Sequence, residues 1–480
     1  MSKLSEVRKS AEVSCWSYEA DVVVVGLGCA GVAAALDAAA AGAEVLVAER
    51  ASGGGGTSAM SGGVIYLGGG TPIQKACGFE DSPEEMFKYL MASCGPCRDE
   101  AKIRAYCEDS VEHYEWLVGH GVPFKGAFYP DYSGEPPTDD GLVFSGSENA
   151  WPYNEIARPA ARGHVPQIPG KAGGLLMERL VAALAHTRAT VVTDTRCQAL
   201  VVGDDGAVVG VVMRHAGEER AARARRGVVL AAGGFISSPE MVATHAPDLA
   251  RCQFLVGSEG DDGSGIRMGL GAGALAVNMA MGSISLPIIP PKELEKGILI
   301  NQFGQRFVNE DSYYGRLGEH VMYRQDGRAW LLLDEKTFQR PEVPREIAAA
   351  GESAEEIEQA LALPAGSLAA TLEYYNRHAE HGADPLFHKT RELVVPLRPP
   401  YGVLDCCVDT SFYASFTLGG LDTSVDAEVL DPSGDVIPGL YAAGRTAAGL
   451  AAPGYSSGIS LGDGSYFGRR AGRHAAARRT

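Results

Sequence analysis

Apolar positions fall along the chain in two periods, one strand-like and one helical. After Asp21, residues 22–25, Val-Val-Val-Val, are an unbroken apolar run of the kind a strand needs when both of its faces are buried. An alanine-rich segment follows and then Ala43-Glu-Val-Leu-Val-Ala-Glu49, a second strand. Further apolar runs at 227–232 and 439–445 read as strands, and 190–214 reads as strands around the Asp204-Asp-Gly turn. Helical spacing predicts helices over 83–91, 100–118, 355–363, 368–379 and 458–470, with Pro341, Pro344 and Pro364 as breaks. Strands alternating with helices predict an α/β protein.

Between the first strand and the first helix stands Gly26-Leu-Gly28-Cys-Ala-Gly31. Glycines there let the backbone turn and approach a pyrophosphate, and the following helix aims its N-terminus at that charge. Glu49, about twenty residues on, ends the second strand where an acid binds a ribose hydroxyl. Strand, glycines, helix, strand and acid in this order predict a Rossmann-like dinucleotide site. NAD and FAD both suit such a site, and the next segment separates them. Arg50-Ala-Ser-Gly-Gly-Gly-Gly-Thr57-Ser58 through Gly63 offers backbone N–H groups to a long cofactor, and the 439–445 strand returns small residues from the far end of the chain. A cofactor touched by both ends is extended, as FAD is. No histidine occurs between Glu49 and Glu112, so a covalent flavin–histidine bond in the Gly-rich loop is excluded and the FAD is expected to be noncovalent.

At 480 residues the chain is long for one core and suits two domains. Residues 1–282 and 399–480 carry the cofactor motifs, and 283–398 read as an inserted α+β capping domain that closes over the cofactor and excludes water. A net charge of −18, with no basic stripe, argues against nucleic acid and anionic membrane surfaces as partners. Residues 1–20 lack an export signal, no apolar run is long enough to span a membrane, and a cytoplasmic enzyme is expected. Cys94-Gly-Pro-Cys97 has thioredoxin-like letters but lies between two helical patterns rather than after a strand. The adjacent Cys406-Cys407 pair has no zinc spacing, and no metal is expected. His164 stands in a loop bordering the expected pocket, where a solvated or hydrogen-bonded histidine is the commoner outcome.

Pro453-Gly454-Tyr455-Ser456-Ser457 precedes the final helix, and loop positions of that kind carry function disproportionately. The ordered motifs GLGCAG, ERASGGGGTSAMSGG, VVLAAGGF, GDDGSGIRMG, GQRFVNE, FTLGG, LYAAGR and YSSGISLGDGSYFGRRAG resemble the fumarate-reductase-like flavoproteins from residue 18 to 476. Within them the chain most resembles the 3-ketosteroid Δ4-(5α)-dehydrogenases, whose Tyr-x-Ser pair appears as Tyr455 and Ser457. The resemblance implies a cofactor-binding set of Gly26, Gly28, Ala30, Gly31, Glu49, Arg50, Gly56, Thr57, Ser58, Ser61, Gly62, Gly63, Ala199, Ala232, Gly233, Asp262, Gly444, Arg445, Gly458, Ser460 and Leu461. It departs from the fumarate reductases where they hold a dicarboxylate with polar or cationic side chains, since Phe416, Tyr455 and Tyr314 stand at those positions. An anion would lose its charge-assisted bonds, so an apolar ketone is the expected substrate.

Desaturation beside a ketone needs a base for the α-proton and a flavin N5 for the β-hydride. Tyr455 is the expected base with Ser457 as its relay, and Tyr313 or Tyr314 the expected donor to the ketone oxygen. Three readings stand: a 3-ketosteroid dehydrogenase forming the 4,5 double bond and passing electrons to an unidentified acceptor, an ene-reductase of the same fold, and a redox protein using Cys94 and Cys97.

Overall fold

The computed structural model describes residues 6–96, 98–131, 136–288 and 291–479. Among these, a nine-stranded sheet forms the centre. Strand Tyr18–Val25 lies between Val45–Ala48 and Glu218–Leu230, parallel to both. Side chains alternate across a strand, and the valines show it. Val22 and Val24 face a core with helices Cys29–Ala40 and Gly173–Ala185, whereas Val23 and Val25 face a second core with Leu200, Met213 and Leu331. Because both sides are dry, no polar residue is tolerated in the run.

Strand Glu218–Leu230 has two halves. The first pairs antiparallel with Val208–His215; pairing parallel to Tyr18–Val25 begins at Ala222 and continues past an irregularity between Ala224 and Gly227 into the second, which also runs parallel to Val436–Ala442. The far end of the chain thereby reaches the fingerprint strand's neighbour. The final helix, Ile459–Ala477, then lies against Cys29–Ala40 with the two backbones touching. A Cβ on Gly468 would stand 2.3 Å from the Ala30 oxygen and one on Gly472 2.1 Å from the Ala34 oxygen. Contacts that advance together along both helices mean that they run the same way, so both N-termini open on one crevice at the carboxyl ends of the strands, where open α/β sheets bind ligands. Buried Arg469 and Asp37 lock the pair at 3.1 Å.

Residues 298–405 hold a separate four-stranded antiparallel sheet, in the order Ile298–Asn301, Ala329–Asp334, Tyr401–Asp405 and Ile347–Gly351, packed on helices Ala354–Leu361 and Ser367–Ala379. Tyr401–Asp405 pairs along both of its edges, so this sheet reaches Asp405. Two expectations change. The helix read over 100–118 is two, Glu100–Glu108 and Ser110–Gly119, divided at Asp109, and the Gly-rich loop begins as a short helix, Gly56–Met60. At the division Asp109 accepts from Tyr466 Oη, and Ser110 Oγ accepts from the Gly68 amide, so the break serves neighbouring segments.

Candidate cofactor and substrate site

Gly28 caps the fingerprint helix without a side chain. The Cys29 amide donates to Ser58 Oγ at 3.2 Å, which ties the Gly-rich loop to the helix and leaves Ala30 and Gly31 with amides that have no acceptor inside the helix. A Cβ at Gly28 would meet only Ser58 and Gly55 at the edge of contact, so the space above it is open. Glu49 is buried, its carboxylate accepting from the amides of Leu27 and Ala51 at 2.6 and 2.8 Å. Ser61 accepts from Gly63, and its carbonyl and that of Gly62 receive the amides of Gly173 and Ala172. Gly444 reaches the same place from the other end of the chain, its missing Cβ lying 3.0 Å from Ala30 Cβ.

The residue that unites these parts is Asp261, which the sequence reading passed over for Asp262. Buried Asp261 accepts from Thr57 Oγ1, from the Gly234 amide at 2.9 Å and from Arg445 Nη2 at 2.9 and 3.0 Å. Asp262 instead faces Arg50 and Arg196 at 3.1 and 2.8 Å. Two adjacent acids look alike in sequence, and burial alone separates their roles. Gly233 joins this hub, its carbonyl accepting from Thr446 Oγ1, and Ala232 borders Gly26. Ala199 lies on strand Thr195–Val202. Its side chain packs with Val201, Val212 and Trp16 in a separate small cluster.

The final helix offers a second unfilled N-terminus. Gly458, at φ +96°, caps it without a side chain, and an added Cβ would strike the Tyr66 amide at 2.7 Å. The Ile459 amide bonds Ser456 O and the Ser460 amide bonds Tyr455 Oη at 3.2 Å, leaving Leu461 without an acceptor inside the helix. Beside it, Arg445 Nη1 is buried with no protein partner and lines a small cavity with Ser460, Leu418 and Asp463. Two helix N-termini, an unpartnered guanidinium nitrogen and glycine-lined space in one crevice fit a long acceptor-rich molecule with a diphosphate.

Tyr455 and its neighbours stand at this second end. Phe416 meets the Tyr455 ring edge-on, with centroids 5.2 Å apart at 85°. Ser457 Oγ lies 3.0 Å from Tyr313 Oη and 2.9 Å from Tyr314 Oη, so the relay expected between Ser457 and Tyr455 links Ser457 to these two tyrosines. Burial pushes the Tyr455 hydroxyl above the ordinary tyrosine range, with the Ser460 amide opposing the shift. The more buried Tyr313 is pushed well above it, by burial and by neighbouring Tyr314 and Tyr455. Tyr313 caps helix Tyr314–Arg324, and its approach is fixed by a buried charge cluster. There Arg306 pairs with Glu310 at 2.7 Å and Asp384 at 2.8 Å, and Lys389 with Glu310 at 2.9 Å. Although burial raises the Glu310 carboxyl, those two cations hold it below the usual carboxylate range.

The remaining sequence candidates lie elsewhere. His164 is buried, bonded to Thr71 Oγ1 at 2.8 Å and Arg162 O at 3.0 Å, and burial pushes it down to about 4. Cys97 lies outside the described residues. Cys94 is buried, which pushes its thiol up to about 12, the opposite of a reactive thiolate. Its segment packs instead beneath the 453–457 loop, with Cys94 O accepting from the Ala452 amide at 3.0 Å. Among the described residues no group of His, Cys, Asp and Glu is placed to hold a metal ion, and no helix is long and apolar enough to cross a membrane.

Comparison with known proteins agrees with the crevice. The family described as FAD binding domain matches residues 21–461. The chain belongs to this FAD-binding family. Its fold is that of the fumarate-reductase type, and the cofactor this flavoprotein binds is FAD. It is 49% identical to the 3-ketosteroid-Δ4-(5α)-dehydrogenase of Rhodococcus jostii, solved with 4-androstene-3,17-dione, with a TM-score of 0.93 over 98% of this chain and 100% of that one. It is 29% identical to the 3-oxo-5-alpha-steroid 4-dehydrogenase of Comamonas testosteroni, covering 91% of this chain and 94% of that protein. The urocanate reductase of Eggerthella lenta is also 29% identical, over 96% of the flavoprotein and 75% of the reductase.

Proposed function

We propose that this flavoprotein is a 3-ketosteroid dehydrogenase that introduces the C4–C5 double bond beside the 3-ketone. The observation that carries the reading is the cluster of Tyr455, Ser457, Tyr313 and Tyr314 beside Phe416, a corner of aromatic rings and hydroxyls whose neighbouring cation, Arg445, lies over the Phe416 ring at 5.8 Å and is paired with Asp261, in a chain so similar to the Rhodococcus enzyme. Bound FAD supplies the acceptor for the C5 hydrogen, which leaves as hydride. The C4–H bond breaks with its proton going to Tyr455 Oη, and its electron pair becomes the new double bond. The Ser460 amide at the helix N-terminus stabilises the ionised phenol that this requires. Tyr313, kept protonated by burial, and Tyr314, joined to it through Ser457, supply the donor to the ketone oxygen as negative charge develops there.

Gly26, Gly28, Ala30, Gly31, Glu49 and the Thr57 loop would hold the adenine-side diphosphate and ribose, and Gly444, Arg445, Gly458 and Leu461 would receive the other end. The aromatic corner disfavours a dicarboxylate, because losing even one charge-assisted bond costs on the order of 1.5–3 kcal/mol. Anaerobic mixing with a 5α-3-ketosteroid while following the visible flavin absorbance tests the reading. Bleaching by the steroid, with no turnover of succinate or fumarate, is the expected result. Fumarate reduction as fast as any ketosteroid reaction would refute it.

A further inference from the structure

Beneath the 455–457 segment runs a short stretch, Ser145-Gly-Ser-Glu148, to which neither motif nor mechanism has assigned a part. Its backbone and side chains bond to Ser457, to Tyr313 and to Tyr89. Ser145 O accepts the Ser457 amide at 2.8 Å. Ser147 Oγ accepts the Tyr313 amide at 3.0 Å, and the Ser147 amide donates to Tyr89 Oη at 2.8 Å. Tyr89 Oη lies 2.9 Å from Ser456 Oγ. Between these hydroxyls there is no spare room, since a Cβ at Gly146 would stand 2.2 Å from Tyr89 Oη and 2.4 Å from Ser456 Oγ. Tyr89 itself is immobilised, fully buried on helix Pro83–Ser93, stacked on Tyr66 with centroids 6.1 Å apart and edge-on to Tyr153 at 5.7 Å.

We infer that Tyr89, acting through Ser147 and Ser456, is a positioning residue that sets the distance between Tyr455 and Ser457 on one side and Tyr313 on the other. This rests on the function proposed above. The Tyr89 hydroxyl is bonded to both the Ser147 amide and the Ser456 side chain, and from those two residues bonds lead on to Tyr313 and into the Tyr455–Ser457 segment. A base and a ketone donor that come from segments more than a hundred residues apart in sequence need such a common reference, because a misplacement of about 1 Å can cost on the order of a hundredfold in rate.

Y89F keeps the ring, its stacking and the burial while removing the shared hydroxyl. In the FAD-loaded enzyme the expected result is a fall of kcat by at least about tenfold with KM changed less than about threefold, and unchanged FAD content and melting temperature. S456A removes only one of the two bonds that Y89F removes, so it should change the rate in the same direction and by no more, and the Y89F/S456A pair should be no worse than Y89F alone. Amide hydrogen exchange of the 453–461 peptide should rise by about fivefold or more in Y89F, a readout independent of turnover. Exchange equal to the wild type, kcat within about threefold of it, or a loss of rate that merely follows lost FAD would each overturn the inference. If the wild type converts no 5α-3-ketosteroid, the functional reading fails, and the exchange comparison still decides whether Tyr89 holds the loop. G146A, which pushes a methyl group between the two hydroxyls, should reproduce the exchange increase, and its failure to do so would count against the close fit.

Discussion

Four tyrosine and serine hydroxyls within one crevice differ in what faces them, and that difference divides their chemistry. Tyr455 Oη receives a backbone N–H at a helix N-terminus, which favours its anion, whereas Tyr313 shares Ser457 with Tyr314 and is pushed well above the ordinary tyrosine range by burial and by Tyr314 and Tyr455. The base must be ionised and the donors protonated. Because burial holds Tyr455 above the ordinary tyrosine range of about 10, kcat/KM should climb with pH into the alkaline region and show no plateau near neutrality. Tyr455→Phe should abolish that climb and lower the rate by about 10²- to 10⁴-fold with FAD still bound. Stopped-flow flavin reduction at several pH values checks both, and near-normal reduction in the variant would return Tyr455 to the pocket wall. Tyr455 and Ser457 were legible in sequence because Pro453-Gly454 marks a loop and small residues follow. The partners of Ser457 were not, since Tyr313 and Tyr314 reach it only through the fold of a distant part of the chain. The same limit hid Asp261 behind its neighbour Asp262.

Backbone-to-backbone contacts carry the elements into place. The strand signals were strong because sheet burial on both faces forbids polar residues in 22–25, and the last helix was legible from its glycine cap and its spacing. The division at Asp109 was invisible, because its cause is bonding to Tyr466 and Gly68 from other parts of the chain. So was the use of Cys94-Gly95. Those letters suggest redox chemistry, yet Gly95, at φ +81°, lies under Pro453 so closely that a Cβ would stand 1.7 Å from its oxygen. Gly95→Ala combines left-handed strain with overpacking and should cost on the order of 1–3 kcal/mol while displacing the loop that carries Tyr455. Cys94→Ser leaves the backbone as it is and should keep most of the dehydrogenase rate. Melting temperature and turnover measured side by side separate the two, and a fully active Gly95→Ala enzyme would show that the loop is held by other contacts.

Across the whole molecule, stability in acid should depend on imidazoles that the fold keeps neutral. His164 joins the Thr71 turn to a small sheet in which Gly163–His164 pairs with Ile65–Tyr66 and Leu142–Val143, the strands that lead toward Tyr66 and the 145–148 stretch. Its burial was not legible, since Arg-Gly-His-Val-Pro reads as a loop that leaves a solvated and a hydrogen-bonded histidine both open, and the structure holds the hydrogen-bonded one. Burial pushes this imidazole from about 6.5 in the unfolded chain down to about 4 in the fold. Between those values the unfolded chain binds a proton that the native one does not, so the group's contribution is complete above about pH 6.5 and is lost as pH falls toward 4. At about 1.4 kcal/mol per pH unit the loss is on the order of 3 kcal/mol. His113, pushed well below its ordinary value by burial and by Arg469 and Arg473, acts in the same sense. Buried Asp463, pushed up to about 6, and Glu295, up to about 7, act in the opposite sense, since the native state holds their protons and gives up that advantage as pH rises. The sum is therefore read by difference. His164→Gln removes the titrating group while offering Thr71 an amide, so its urea-unfolding free energy should fall less than that of the wild type between pH 6.5 and 4, by roughly the 3 kcal/mol assigned to the imidazole. Parallel pH dependences for the two proteins would mean that His164 takes up its proton in the native state, and that the small sheet tolerates a charge where burial now excludes one.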